Sequence, residues 1–104
     1  MNYQRISPEQ AVALREREAQ WVDIRDEASF AAGHIPECVH LDNTNLARYL
    51  IEADHDRPLI VVCYHGNSSQ QAAAYLAEQG FDEVYSLDGG FTLWQSLYPT
   101  DVAR

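Results

Sequence analysis

The run Leu59–Cys63 constrains the fold of this chain more than any other feature of the sequence. It follows Pro58, is apolar at every position and is rich in β-branched residues. A strand with one solvated face alternates polar and apolar residues, whereas a strand that is apolar throughout is buried on both faces. The run therefore predicts a central strand of a parallel sheet, with Cys63 at its carboxyl end.

Strand-forming and helix-forming segments alternate along the rest of the chain. The predicted strands are residues 3–6, 21–24, 39–41, 59–63 and 83–87, and the predicted helices are about 8–18, 27–32, 43–53, 69–79 and a last one after Gly90. Ser7 and Gln10 form a capping box around Pro8, and Gly33 ends the second helix as a left-handed cap. This pattern predicts an α/β fold, a mainly parallel sheet of about five strands with helices on both faces.

The charge of the chain excludes several kinds of partner. Sixteen Asp and Glu residues against seven Arg and no Lys give a formal net charge of −9. Such a surface repels phosphate backbones and anionic lipid heads, so we expect no nucleic acid and no membrane surface as partner. The first residues hold no secretion signal, and two cysteines are too few for a disulfide framework. We therefore expect a cytoplasmic chain with reduced thiols.

The segment from Cys63 to Ser69 carries most of the chemistry. Ligands of open parallel sheets bind beyond the carboxyl ends of the strands, which is where Cys63 lies. Gly66 and Asn67 tolerate left-handed backbone, and the residues from Ser68 resemble a capping box. Such a loop can turn its N–H groups inward as an anion-binding nest in front of a helix N-terminus. We therefore expect Cys63 to be a nucleophile with a pKa below the usual value of about 8.5.

Several of these residues also have a purely structural interpretation. Cys63 can be a small buried core residue, Tyr64 can pack or line the mouth of the loop, and His65 can be charged or simply exposed. Arg25 is expected to form an ion pair or to brace a carbonyl rather than to contact substrate. Cys38 is interpreted as a packing residue rather than a resolving thiol.

A pair of glycines precedes the last helix. Gly89 and Gly90 permit close approach of their turn to a neighbouring loop, for which the Cys63 loop is one candidate. The aromatic residues that follow, Phe91 and Trp94, are expected to lie in the core rather than to stack on a substrate.

Three motifs together resemble the rhodanese family. They are Val22–Asp26 with Phe30 and the turn Gly33–Pro36, then Cys63–Ser69, and then Leu87–Phe91 with Trp94. The second is similar to the active-site loop of GlpE-type single-domain thiosulfate sulfurtransferases. The motifs occur in the family's order and spacing over roughly residues 17–100. The resemblance implies a single rhodanese-like domain over residues 1–104, with its core at about 17–100.

The resemblance also implies a two-step sulfur transfer. Cys63 would take the outer sulfur of thiosulfate as a persulfide and pass it to cyanide in an assay, or to a dithiol protein such as thioredoxin in a cell. The residues implied for the persulfide-binding loop are Tyr64, His65, Gly66, Asn67, Ser68 and Ser69, with Arg25 in support. No metal or other cofactor is expected, since the His and Cys residues lack ligand spacing. The pattern leaves no spare apolar helix face, which favours a monomer.

Three other functions compete with this interpretation. A cysteine phosphatase or arsenate reductase places an Arg six positions after its Cys, where this chain has Ser69. A persulfide relay for thiolation pathways would use the same loop. A non-catalytic rhodanese-like regulatory module typically lacks the cysteine, which this chain retains. The loop also departs from many rhodaneses in having no Arg or Lys, so backbone amides would have to supply the positive potential.

Overall fold

Five parallel strands form one sheet in the computed structural model, which describes residues 2–104. The strands are β1 (Tyr3–Ile6), β2 (Gln20–Asp23), β3 (Cys38–His40), β4 (Leu59–Val62) and β5 (Val84–Leu87). Their order across the sheet is β1-β5-β4-β2-β3, and each pairing is parallel. β4 lies in the middle and all of its side chains are fully buried. The prediction made from its apolar run is confirmed.

A helix follows each of the five strands. They are α1 (Pro8–Ala13), which a 3-10 turn extends over Leu14–Arg17, α2 (Glu27–Ala32), α3 (Leu46–Glu52), α4 (Ser68–Glu78) and α5 (Gly90–Leu97). The predicted capping box of α1 is confirmed, because Gln10 N donates to Ser7 Oγ at 3.1 Å and Ser7 N donates to Gln10 Oε1 at 2.8 Å. None of the helices formed by residues 2–104 combines the length and the hydropathy needed to cross a bilayer.

The side chains of β4 alternate between two hydrophobic cores. Ile60 and Val62 belong to the core that α1 and α5 cover, while Leu59 and Val61 belong to the core that α3 and α4 cover. Successive side chains of a strand point to opposite faces of the sheet, so one apolar strand can supply both cores. The predicted α/β architecture with helices on both faces is thereby confirmed.

The prediction that Gly33 ends α2 in a left-handed conformation is wrong. Gly33 has φ 172° and ψ 137°, which is extended backbone. The chain runs straight on from α2, and His34 forms an antiparallel bridge with Ala103. The carbonyl of Gly33 accepts a hydrogen bond from Arg25 Nη2 at 2.7 Å. In a left-handed turn this carbonyl would point in another direction, so the Arg25 contact favours the extended conformation.

Candidate active site

Cys63 follows β4 at the carboxyl end of the sheet and faces the N-terminus of α4. Its Sγ atom accepts hydrogen bonds from the backbone N–H groups of Gly66 at 3.1 Å and Ser69 at 3.2 Å. The residue is 4% exposed, so these donors act where water screens them little. Two amides and a helix N-terminus that converge on one sulfur favour its anionic form.

Three more amides of the loop are available to a ligand. The backbone N–H groups of His65, Asn67 and Ser68 have no acceptor within residues 2–104. All three residues are exposed, in contrast to Gly66 and Ser69 on either side. Together with the Gly66 and Ser69 amides that bond the sulfur, they make the loop from Cys63 to Ser69 a site of backbone donors, which we call the anion cup, or cup.

The cup depends on a left-handed conformation at Gly66. Its φ is +88°, and a Cβ atom added there would lie 2.8 Å from Gly89 N. The carbonyl of Gly66 accepts a hydrogen bond from Gln70 Nε2 at 2.9 Å, and Gln70 Oε1 accepts one from the Tyr3 hydroxyl at 3.1 Å. A chain of side-chain contacts from β1 therefore holds the Gly66–Asn67 peptide, which adjoins the peptide whose N–H donates to Cys63.

The predicted capping box at the start of α4 is wrong. The N-cap residue is Asn67, and its side chain makes no capping hydrogen bond. The box predicted from Ser68 would close at Gln71. With the N-cap at Asn67 the third helical residue is Gln70, whose side-chain amide donates to the Gly66 carbonyl. The helix end is left open toward the cup, where its amides can serve a ligand.

The start of α5 packs directly against the backbone of the cup. Phe91 N donates to the Cys63 carbonyl at 2.8 Å, and Thr92 N donates to the Tyr64 carbonyl at 3.1 Å. Gly90 has φ +57°, and a Cβ atom there would lie 2.4 Å from both carbonyl oxygens. The candidate approach of this glycine turn to the Cys63 loop is confirmed, as is the buried position of Phe91.

Arg25 braces the loops beside the cup. Its guanidinium donates to both carboxylate oxygens of Asp23, with Nη2 to Oδ2 at 2.8 Å, and Nη2 also donates to the Gly33 carbonyl. Its Cζ atom lies 4.3 Å from the centroid of the Phe91 ring. The side chain is 4% exposed, so this geometry is that of a buried ion pair and carbonyl brace.

Tyr64 joins the cup to the N-terminus of α2. Its hydroxyl donates to Asp26 Oδ1 at 2.5 Å and contacts the Ser29 hydroxyl. Asp26 also accepts hydrogen bonds from the Ser29 amide and hydroxyl as the N-cap of α2. The Tyr64 hydrogen bond, followed by those of Ser29, lowers the pKa of Asp26 from 3.8 to about 2.

Replacing Tyr64 by phenylalanine is expected to raise the pKa of Asp26 from about 2 toward 3.8, because the largest cause of the shift is removed. The depressed pKa means that ionised Asp26 stabilises the fold above about pH 4, and that this contribution is lost as the pH falls toward 2. NMR titration of the Asp26 carboxyl measures the change, with Tyr75→Phe as the control. An unaltered Asp26 titration in Tyr64→Phe would contradict the tether.

Residues 7–97 match the family model for the Rhodanese-like domain. The chain belongs to the rhodanese family. It is 62% identical over 101 residues to the thiosulfate sulfurtransferase GlpE of Pseudomonas aeruginosa strain LESB58, a match that covers 97% of this chain and 92% of that protein. The resemblance found in the three sequence motifs is confirmed.

Solved structures show the same rhodanese fold. The reduced CoADR-RHD protein of Bacillus anthracis superposes with a TM-score of 0.82 at 22% identity, over 98% of this chain and 18% of that one. A yeast protein tyrosine phosphatase of the rhodanese family superposes with a TM-score of 0.74 at 21% identity, over 99% of this chain and 93% of that one. At this identity the likeness concerns the fold alone.

Cys38 lies at the opposite end of the rhodanese sheet from Cys63. Cys38 pairs with Trp21, which pairs with Ile60, so Cys63 is two strands across and three residues along. With strands about 4.8 Å apart and about 3.3 Å per residue, the two Cα atoms are roughly 14 Å apart, and a disulfide needs less than about 7 Å. Burial raises the pKa of Cys38 well above its ordinary value. Both features support the packing interpretation.

The sequence analysis missed Ser86. This residue of β5 is fully buried, and its Oγ atom lies 2.7 Å from Ser69 Oγ, which lies 3.2 Å from Cys63 Sγ. A signal was present, because Ser86 shares a strand face with the buried Val84 and directly precedes the buried Leu87. A hydroxyl at such a position indicates a partner in the interior.

No group of three or more His, Cys, Asp or Glu side chains within residues 2–104 is arranged to hold a metal ion. The donors of the cup are N–H and hydroxyl groups, which bind anions. The chemistry available to this site is therefore that of a sulfur nucleophile surrounded by hydrogen-bond donors.

Proposed function

We propose that this chain is a thiosulfate sulfurtransferase that carries the transferred sulfur as a persulfide on Cys63. The convergence of the Gly66 and Ser69 amides on Cys63 Sγ carries the proposal, because it provides for a negative charge on that sulfur. The identity of 62% to a relative named thiosulfate sulfurtransferase GlpE supports thiosulfate as the donor.

In the first half-reaction the Cys63 thiolate attacks the outer sulfur of thiosulfate. A sulfur–sulfur bond forms to Sγ, the sulfur–sulfur bond of thiosulfate breaks, and sulfite leaves with the bonding electron pair. The Cys63 thiolate and the thiosulfate dianion become the Cys63 persulfide anion and the sulfite dianion. Charge and electrons therefore balance, and the step needs neither an oxidant nor a proton. We propose that the amides of His65, Asn67 and Ser68 donate hydrogen bonds to the terminal sulfur and to the departing oxyanion.

In the second half-reaction an acceptor attacks the terminal sulfur, and Cys63 leaves as a thiolate. Cyanide takes the sulfur as thiocyanate in an assay, and we propose a dithiol protein such as thioredoxin as the acceptor in a cell. Two steps at one nucleophile predict ping-pong kinetics. Tyr64 and Arg25 support both steps by bracing the loop rather than by contacting the sulfur.

We also propose a cytoplasmic location and a monomeric state. Cys38 and Cys63 are both free thiols, which suits a reducing compartment. Each of the five helices contributes apolar side chains to the two cores of a single sheet, which supports a monomer. Ile51 on α3 and Leu93 and Leu97 on α5 are exposed.

The phosphatase alternative is disfavoured by the residue that faces the sulfur. A cysteine phosphatase binds its oxyanion through a planar guanidinium fork six positions after the Cys. That position is Ser69, a fully buried residue whose hydroxyl contacts Cys63 Sγ and Ser86 Oγ. The loop from Cys63 to Ser69 contains no Arg that could form such a fork.

Intact-mass measurement after incubation with thiosulfate tests the proposal. We expect a sulfur-sized mass increase that cyanide removes and that Cys63→Ser lacks. Absence of the increase with thiosulfate, together with loading from another protein's persulfide, would assign the chain to the persulfide relay instead. Absence of loading from either donor would assign it to the non-catalytic regulatory class.

We expect the KM for thiosulfate to fall severalfold as salt rises from about 0.01 M to about 0.15 M, since the Debye length shrinks from about 30 Å to about 8 Å. The dianion approaches a chain of net charge −9, and the nearby cation Arg25 is paired with Asp23. Steady-state kinetics in sodium chloride measure the effect, and the KM for hydrogen cyanide, which is uncharged, is the control. A thiosulfate KM that rises steadily with salt would indicate a direct cationic contact.

A further inference from the structure

Two buried serines extend the hydrogen bonds of Cys63 into the interior. Ser69 on α4 and Ser86 on β5 both have an exposed fraction of 0%. Their Oγ atoms lie 2.7 Å apart, and Ser69 Oγ lies 3.2 Å from Cys63 Sγ. Within residues 2–104, Ser86 Oγ has a single hydrogen-bond partner, which is Ser69 Oγ. The chain of polar groups therefore runs from the sulfur through one hydroxyl and ends at the other.

The number of hydrogen-bond donors among Cys63, Ser69 and Ser86 favours a charged sulfur. If Cys63 is protonated, its S–H donates to Ser69, the Ser69 hydroxyl donates to Ser86, and the Ser86 hydrogen has no acceptor. If the sulfur is a thiolate, Ser86 donates to Ser69 and Ser69 donates to Sγ, so every hydroxyl hydrogen is paired. A buried donor without a partner is costly, whereas an anionic acceptor strengthens its hydrogen bonds.

The thiolate then receives three donors at once. They are the amides of Gly66 and Ser69 and the hydroxyl of Ser69. The hydrogen bond that Ser86 donates to Ser69 polarises the Ser69 hydroxyl and also holds the Ser69 side chain in the rotamer that reaches Sγ. No proton moves between the two serines, because each hydroxyl only rotates.

We propose that Ser69 and Ser86 form a hydroxyl pair that stabilises Cys63 as the leaving thiolate, with Ser86 as a positioning residue that acts through Ser69. The inference rests on the proposed function. It concerns the second half-reaction above all, because there the bond between Sγ and the terminal sulfur breaks and the electron pair stays on Sγ. A stabilised thiolate is a better leaving group but a weaker nucleophile, so the first half-reaction changes less.

A double-mutant cycle on the second half-reaction tests the pair. The protein is loaded with thiosulfate and desalted, and the loss of the added sulfur to cyanide is followed by quenched-flow intact mass. We expect Ser69→Ala to slow this step about tenfold and Ser86→Ala roughly threefold. We expect the double variant to be no slower than Ser69→Ala, because Ser86 has no other route to the sulfur.

The variants have internal controls for folding and for the reaction itself. Ser69→Ala retains the backbone N–H that donates to Sγ, and Ser86→Ala retains the strand pairing of β5, so thermal unfolding is expected to stay cooperative. Ser96→Ala, an exposed substitution on α5, is expected to match the wild type.

A threefold effect of Ser86→Ala that persists in the Ser69→Ala background, or no effect of Ser86→Ala at all, would overturn the proposed hydroxyl pair. Failure of the wild type to load sulfur would refute the proposed function, and the inference with it.

Discussion

Cys63→Ser is expected to lower sulfur transfer from thiosulfate to cyanide by at least about a thousandfold, because the variant has no sulfur to form a persulfide. A serine hydroxyl is not ionised at neutral pH and cannot carry the transferred atom. Turnover is measured as thiocyanate formation, and loading is measured by intact mass. Residual turnover near the wild-type rate would refute Cys63 as the nucleophile.

The fold is expected to survive this substitution. Serine oxygen can accept the same hydrogen bonds from the Gly66 and Ser69 amides, so we expect the free energy of unfolding to change by no more than about 1 kcal/mol. Cys38→Ala is the matched control, since it removes the other buried thiol at the far end of the sheet. We expect Cys38→Ala to lower stability by about 1 kcal/mol and to leave turnover unchanged. Loss of turnover without loss of stability would instead show Cys38 to be a resolving thiol.

Gly90→Ala is expected to destabilise the protein by roughly 3–5 kcal/mol and to disrupt the anion cup. Alanine at φ +57° is strained, and its Cβ atom would lie 2.4 Å from the carbonyl oxygens of Cys63 and Tyr64. Either α5 or the loop must move, and the hydrogen bonds from Phe91 N and Thr92 N to those carbonyls are lost. Chemical denaturation measures the stability, and intact mass measures sulfur loading of the folded protein.

Gly80→Ala separates the two causes of the Gly90 effect. Gly80 also has a positive φ, +105°, but no atom lies within 4 Å of an added Cβ. We expect this control to cost about 1–2 kcal/mol through backbone strain alone and to load sulfur normally. If Gly90→Ala were as mild as Gly80→Ala and still loaded sulfur, the contact between α5 and the loop would not hold the cup in place.

The sequence was informative wherever a local pattern decides the structure. The apolar run of β4 predicts its central position because only a strand covered on both faces tolerates such a run. The position of Cys63 follows, since the carboxyl ends of parallel strands share one edge of the sheet. The extent of the single domain, residues 1–104 with a core at about 17–100, stays a prediction.

The sequence was uninformative where contacts between distant segments override local preference. The left-handed cap at Gly33 is absent because Arg25 engages the carbonyl of Gly33 and the chain pairs with Ala103. The capping box predicted from Ser68 is absent because α4 has its N-cap one residue earlier, at Asn67. The Tyr64–Asp26 tether joins residues that are far apart in the chain, and no periodicity marks such a pair.

Because main-chain amides form the cup, the chemistry of this protein does not depend on which side chains the exposed residues of the loop carry. Any amino acid except proline brings the same N–H group, so the side chains of His65 and Asn67 are free to vary while the backbone groups that hold the sulfur stay the same. The constraint falls on the glycines, because Gly66 and Gly90 have positive φ and no space for a Cβ atom. A library randomised at His65 and Asn67 alone should thus yield enzymes with altered acceptor preference and intact persulfide formation.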